Sequence, residues 1–337
     1  MIPASSSGFL SPTAYQLRNH VCVLPCGSLL DDTPLKWTDA QLQYYAKYIL
    51  NGQPIDSMFK GFIFNAVRTR DSHFIYPLYV GFGEPSERID WQQWIDALFA
   101  PDANFQALHR VTGTEKVDIW VSIPYPHPYQ RSFGVVQGRN LDFEVATDRF
   151  AAVIWWIDQF MNRWNSRKDL HDRLEFRGFL WQRETIDASD ENLVKWVNGA
   201  ISARKLLSMW LANYGSGGII KWSELGFHLT LLNTNYTGNT SYDTSWIRNA
   251  CLFSRHYHTG IQITWGKGLI YNATHQLDYF NLGLASMSRY MNESFLVYPF
   301  PNQTLDTLYR EKLIDYIRLY TFVKGLYVKT NYPGIAY

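Results

Sequence analysis

The chain has 337 residues with 31 Lys+Arg against 30 Asp+Glu, a formal charge of +1 that excludes binding a polyanion through bulk electrostatics and so excludes nucleic acid. Charged residues make up only 18% while 13 Trp, 22 Tyr and 20 Phe bring the aromatic share to 16%, so aromatic surface is used heavily. At 46% hydrophobic the chain buries a large core, and its length fits two ordinary domains or one large barrel. Its longest apolar run, Phe150 to Ile157, falls far short of the roughly 20 residues needed to span a bilayer, which excludes membrane insertion by such a helix.

The first twenty residues lack the basic and apolar regions of a signal peptide, so export is expected to use another route or a leader absent from this chain. The apolar run Val21 to Pro25 reads as the first strand. Cys22 and Cys26 fall in this stretch and, with Cys251, make an odd number without metal-ligand grouping, which reads as buried free thiols. Gly61 to Ala66 is the second predicted strand and Val117 to Tyr125 the third. Residues 67–115 are long for a strand-to-helix connection and are expected to form an inserted subregion on the active face.

Further strands are expected at Phe176 to Trp181, Leu206 to Leu211, Phe227 to Leu232, Gly260 to Trp265 and Ser294 to Tyr298. Helical patterns separate them. Phe150, Ile154, Ile157, Met161 and Trp164 share one helical face, Asn192 to Lys205 follows the cap signal Ser189-Asp190, and Thr304 to Lys324 precedes Gly325. Eight such units without a dinucleotide fingerprint predict the α/β class and a single (β/α)8 barrel over residues 1–337.

Ligands of such barrels meet the C-terminal ends of the strands. There the chain carries Pro124-Tyr125-Pro126-His127-Pro128-Tyr129-Gln130, Trp181-Gln182-Arg183-Glu184, Trp210-Leu211-Ala212-Asn213-Tyr214, Asn233-Thr234-Asn235-Tyr236 and Gln262-Ile263-Thr264-Trp265. Rings, amides and hydroxyls together suit sugars, whose C–H faces pack on aromatic rings while their hydroxyls take directed hydrogen bonds. Tyr125, Gln130, Trp181, Arg183, Asn213, Tyr214, Asn233, Asn235, Tyr236, Gln262 and Trp265 are the candidate glycan-binding residues, with Trp210 another candidate floor. For each the alternative is structural: loop bracing for the polar groups and barrel filling for the tryptophans.

The same strand ends resemble the bacterial family called domain of unknown function 4855, over nearly the whole chain. The resemblance rests on Pro34-Leu35-Lys36-Trp37-Thr38, Met58-Phe59-Lys60-Gly61-Phe62-Ile63-Phe64, Ile123-Pro124-Tyr125-Pro126, Gln130, Phe133-Gly134, Gly178-Phe179-Leu180-Trp181, Trp222-Ser223-Glu224-Leu225-Gly226-Phe227, Asn235-Tyr236 and Phe322-Val323-Lys324-Gly325-Leu326-Tyr327, in that order. It implies a glycosidase-type (β/α)8 barrel and leaves the reaction open. The family tends to carry acids on its seventh strand and after the Phe-Gly pair, where this chain has Gly260-Ile261-Gln262-Ile263-Thr264 and Val135-Val136-Gln137-Gly138.

Most glycosidases need two carboxyl groups flanking the scissile bond. Glu184, ending the fourth strand, is the candidate catalytic acid, against a structural pairing with Arg183 or another rim arginine. Position 262 is an amide and can serve neither as nucleophile nor as base, so a second carboxylate would have to come from Asp31, Asp32, Asp71 or Asp243. Gln262 can instead hold a substrate acetamido or hydroxyl group. The expectation is a barrel that binds a polysaccharide and, given a second acid, cleaves it, with a catalytically silent carbohydrate-binding or structural protein of a virion or cell envelope as the alternative.

No cofactor site is expected: Gly215-Ser216-Gly217-Gly218 lacks the ending of a phosphate loop, and no nucleophile elbow occurs. His256 and His258 lack a third metal ligand. The sequons at Asn235, Asn239, Asn272, Asn292 and Asn302 exceed chance and point to an extracellular setting, while the missing leader favours a virion; a cytoplasmic location is the alternative.

Overall fold

In the computed structural model eight parallel strands close into a barrel: β1 (Val21–Cys26), β2 (Gly61–Ala66), β3 (Val117–Ile123), β4 (Leu174–Trp181), β5 (Leu207–Asn213), β6 (Leu229–Asn233), β7 (Gly260–Gln262) and β8 (Leu296–Tyr298). Each pairs with its sequence neighbours, and β8 returns to pair with β1. The structure describes residues 8–28, 35–70, 73–238, 243–267, 270–271, 275–284 and 286–330. The predicted α/β class and (β/α)8 architecture are both present.

Parallel strands joined by helical crossovers are covered on both faces, which is why their sequences read as short continuous apolar runs. The helical layer includes α1 (Asp39–Ala46), α2 (Arg88–Leu98), α3 (Asn104–Thr112), α4 (Ala146–Ser166), α5 (Glu191–Ala203), α6 (Ser245–Tyr257) and α7 (His275–Leu282). In α4 the residues Val153, Trp156, Ile157, Phe160 and Trp164 recur at helical spacing and are buried against the strands, with Phe160 packing on Phe176 and Phe179. Between β2 and β3 the chain first forms a small three-stranded sheet (Arg68–Arg70, His73–Phe74, Glu84–Pro85) with the 3-10 turn Pro77–Phe82. It then joins the helical layer through α2 and α3, where Trp94 Nε1 donates to the Ser122 carbonyl of β3.

The lumen has two chemistries. Its lower part is an apolar plug of Val21, Val23, Ile63, Trp120, Leu180, Met209, Leu229, Leu231, Phe295 and Val297, closed from beneath by Leu10 and Leu17. Asn19 ties the closing segment to β8 through Leu296 N (2.9 Å) and the Ser294 carbonyl (3.1 Å), and Arg18 pairs with Asp118 and Glu175. All three cysteines are buried free thiols.

Because strand side chains alternate between the two faces, the next inward positions above this plug are Asn65, Ser122, Gln182 and Asn233. On β7 a side chain at Gly260 would point at Leu231, which aims Gln262 and Thr264 inward as well. Gly178 sets the phase of β4. It sits at φ +154° where the register shifts between Phe176 and Gly178, and a Cβ there would lie 1.8 Å from the Leu207 carbonyl.

Gly178→Ala should cost more than about 3 kcal/mol in urea denaturation, since neither the β4 backbone nor Leu207 can yield. His20 lies buried just before β1, its Nδ1 2.6 Å from the Tyr298 hydroxyl, and burial, aided by Lys324, lowers its imidazole to about 3. The unfolded chain, with a value near 6.5, takes up a proton that the folded chain refuses. Stability held above about pH 6.5 should therefore fall as the pH drops toward 4, by up to about 1.4 kcal/mol per pH unit from this group. His20→Gln should flatten that slope in denaturation curves collected from pH 7 to 4.5.

Candidate functional site

The upper lumen and the segments after each strand form a mouth rich in amides and hydroxyls. Gln182 Nε2 crosses the barrel to donate to Asn65 Oδ1 at 3.0 Å and to the Ala66 carbonyl, while Ser122 Oγ accepts from Ala66 N at 3.0 Å. Gln262 Nε2 donates to the carbonyls of Leu231 (2.8 Å) and Ala212 (3.3 Å). Asn233 Oδ1 accepts from Asn235 N at 3.0 Å and from Thr264 Oγ1 at 3.5 Å.

Glu184 stands at the edge of this layer, half-buried. One carboxylate oxygen accepts from the Tyr76 hydroxyl and the other from Asn213 Nδ2 at 2.7 Å. Tyr76 arrives from the small sheet after β2 and Asn213 from the end of β5, so two strand ends converge on the carboxylate. The expected alternative, a pair between Glu184 and Arg183, is not formed. Arg183 turns instead to Asp187 (2.5 Å) and Asp190 (3.1 Å).

Asp190 is the centre of a buried cluster. Its carboxylate accepts from Arg149 at 2.7 Å and from the Tyr125 hydroxyl at 2.6 Å, and Arg149 and Arg183 both donate to that hydroxyl, at 3.1 and 3.0 Å. Burial alone would raise the Asp190 carboxyl, but the bonds and charges of Arg149, Tyr125 and Arg183 hold it below the usual value. Burial, then Arg183 and Arg149, lowers the neighbouring His127 imidazole to about 4. The cluster fastens the segments after β3 and β4 to α4 and to the start of α5.

Several candidates are spent on the fold rather than free at the mouth. Tyr125 is buried with its hydroxyl fully engaged, and Gln130 braces its loop by donating to the carbonyls of Pro85 (3.1 Å) and Ser86 (3.3 Å). Asn235, at φ +59°, donates Nδ2 to the Tyr214 carbonyl at 3.0 Å, which also occupies its sequon amide. Tyr214 packs edge-on against Trp246 and Phe253, and the Tyr236 hydroxyl donates to buried Asp278 at 2.6 Å.

The three tryptophans expected as sugar platforms are corrected by their burial. Trp181 packs against Tyr125, Trp210 stacks on Phe227, and Trp265 meets Phe300 edge-on, so none offers a face to solvent. Rings this large fill the space between strands and helices, and their sequence position beside the rim did not separate filling from display.

Exposed apolar surface comes instead from the loops. Phe82 (71% exposed) and Leu78 (55%) lie on the turn that follows Tyr76, and Tyr129 (76%) lies after β3, packed on His127 at 4.7 Å. Nothing in periodicity could single out these residues. A sharper signal was available for Asn65 and Gln182, which continue the inward phase of their strands.

Of the acids considered as a partner for Glu184, Asp243 accepts from Ser245 N at 2.7 Å just before α6, and Asp31, Asp32 and Asp71 lie outside the described residues. Among the described residues the lumen-facing ends of β2, β5, β6 and β7 carry Asn65, Asn213, Asn233 and Gln262, all amides. His258 donates Nδ1–H to the Gly8 carbonyl at 3.0 Å at the opposite end of the barrel.

The buried cluster can be tested directly. Asp190→Asn leaves two guanidinium groups short of a countercharge and should cost about 3–5 kcal/mol in denaturant unfolding. Asp187→Asn, at an exposed partner of Arg183, should cost less than about 1 kcal/mol.

No curated protein matches the chain. Among solved structures it is similar to a GH18 chitinase from Pseudoalteromonas aurantia at 8% identity and TM-score 0.40, covering 90% of this chain and 98% of that one. It is also similar to concanavalin B at 9% identity and TM-score 0.38, covering 76% of this chain and 88% of that one. The family model described as domain of unknown function (DUF4855) matches residues 30–321, and the chain belongs to that family.

Proposed function

We propose that the protein binds a polysaccharide across the C-terminal ends of its barrel strands. The observation that carries this reading is Glu184, held at the mouth by Tyr76 and Asn213 beside a lumen layer of Asn65, Gln182, Asn233 and Gln262. A carboxylate with neutral partners and a ring of amides can exchange hydrogen bonds with several hydroxyls at once. Phe82 and Tyr129 supply exposed rings on which sugar C–H faces can pack.

Binding is favoured over cleavage because two-carboxylate hydrolysis needs a second acid about 5–10 Å from the first. Among the described residues the strand ends named above supply amides in its place. A second reading, cleavage with Glu184 as the proton donor, draws support from one feature: the carboxyl is oriented at both oxygens by uncharged groups, the Tyr76 hydroxyl and the Asn213 amide.

Titration calorimetry on glycans selected by an array should show that Glu184→Ala weakens binding by about 10–100-fold, the worth of a hydrogen bond to a charged group. Its thermal midpoint should stay within a few degrees of the parent. Product analysis of the bound glycan should show no shortening with the parent protein; shortening that disappears in Glu184→Gln would establish the second reading. Failure of every glycan to bind would remove both.

A further inference from the structure

We infer that the barrel mouth selects uncharged, hydroxyl-donating glycans and rejects acidic ones, with the carbonyl oxygen of Gln182 as a specificity-determining acceptor; this rests on the glycan reading above. Gln182 is only 4% exposed, and its Nε2 has two acceptors, Asn65 Oδ1 and the Ala66 carbonyl. Rotating the amide would set its oxygen against both of those oxygens, so its orientation is forced by chemistry. The carbonyl Oε1 is left buried without a partner among the described residues. A buried acceptor in that state is costly, and a ligand hydroxyl that reaches it gains what the free protein lacks.

The surrounding groups agree in sign. Gln262 spends its amide nitrogen on the carbonyls of Leu231 and Ala212, as Gln182 does on its own pair of acceptors. Glu184 contributes a carboxylate, and the donors nearest it, Tyr76 and Asn213, are already directed at that carboxylate. Among the described residues the two guanidinium groups after β4 and on α4 are occupied as well: Arg183 by Asp187, Asp190 and Tyr125, and Arg149 by Asp190, Tyr125 and the Pro126 carbonyl. A uronic acid or sulfated sugar would meet the Glu184 carboxylate and the Gln182 carbonyl, with Arg183 and Arg149 already committed to Asp187 and Asp190. A neutral sugar would meet acceptors that need its hydroxyl protons.

The test compares two classes of probe on the intact chain by calorimetry. Neutral hexaoses of glucose, xylose, mannose and N-acetylglucosamine form one class, and hexagalacturonate and hexaguluronate the other. At least one neutral hexaose should bind 10-fold or more tighter than either acidic one. Gln182→Met should weaken that neutral hexaose by about 5–100-fold, the range expected when a buried acceptor's hydrogen bond is lost. Since this variant also unpairs Asn65 and Ala66, deoxy analogues of the same hexaose are measured on the parent protein, and one position should lose affinity by a similar factor. Acidic hexaoses that bind as tightly as neutral ones would overturn this inference and leave the glycan reading intact. Unchanged affinity both in Gln182→Met and for every deoxy analogue would overturn the role of Gln182, and no binding by either class would overturn both readings.

Discussion

Closure of the parallel barrel is the constraint on which the rest of the molecule depends. A closed sheet has no free edge, and crossover helices cover its outer face, so every strand side chain is committed either to the lumen or to the helical shell. Once Val21, Ile63, Trp120, Leu180, Met209 and Leu231 fill the lower lumen, strict alternation aims Asn65, Ser122, Gln182 and Asn233 into the same space one layer higher. The apolar plug and the polar mouth are thus two levels of one packing pattern. Gly178 keeps β4 in phase with it by admitting a backbone conformation and a close approach to Leu207 that no other residue allows.

The polar mouth would be unstable if its groups were left to find partners at random, because each buried amide must be satisfied or take a penalty. The chain answers by spending nitrogens on backbone carbonyls: Gln182 on Ala66, Gln262 on Leu231 and Ala212, Asn235 on Tyr214. Such bonds fasten neighbouring strands and loops together. They also decide the character of what remains, since the donors are consumed and the Gln182 carbonyl oxygen is left without a partner among the described residues. The Asp190 cluster acts similarly outside the lumen, where Arg149 and Arg183 neutralise one carboxylate and Tyr125 bridges them. It leaves Glu184, next to Arg183 in the chain, with uncharged partners.

Much of the fold was legible before any coordinates. All eight strands fall where short apolar runs were expected, and α4 buries Ile157 and Trp164 of the face its spacing marks. Glu184 was legible as a strand-end acid, and the lack of an acid at position 262 was legible from the residue itself. The aromatic residues were not. Trp181 and Trp265 stand beside polar rim residues in the chain, yet a ring at a strand end can pack into the protein as readily as face solvent, and both are buried, Trp181 against Tyr125 and Trp265 against Phe300. Tyr76 was missed for the opposite reason: it lies ten residues past Ala66, the end of β2, and only the small sheet that follows brings its hydroxyl to Glu184.

Sequence alone determined the number and order of the strands, the parallel closure they imply and the near-neutral, aromatic-rich composition, because these follow from local periodicity and from counts that need no partner. Tertiary structure decided which of the polar residues are free. Hydrogen-bond partners such as Asn65 with Gln182, separated by more than a hundred positions, exist only once the barrel has closed. An amide in a sequence has both a donor and an acceptor end; only its neighbours in space determine which end is left unpaired.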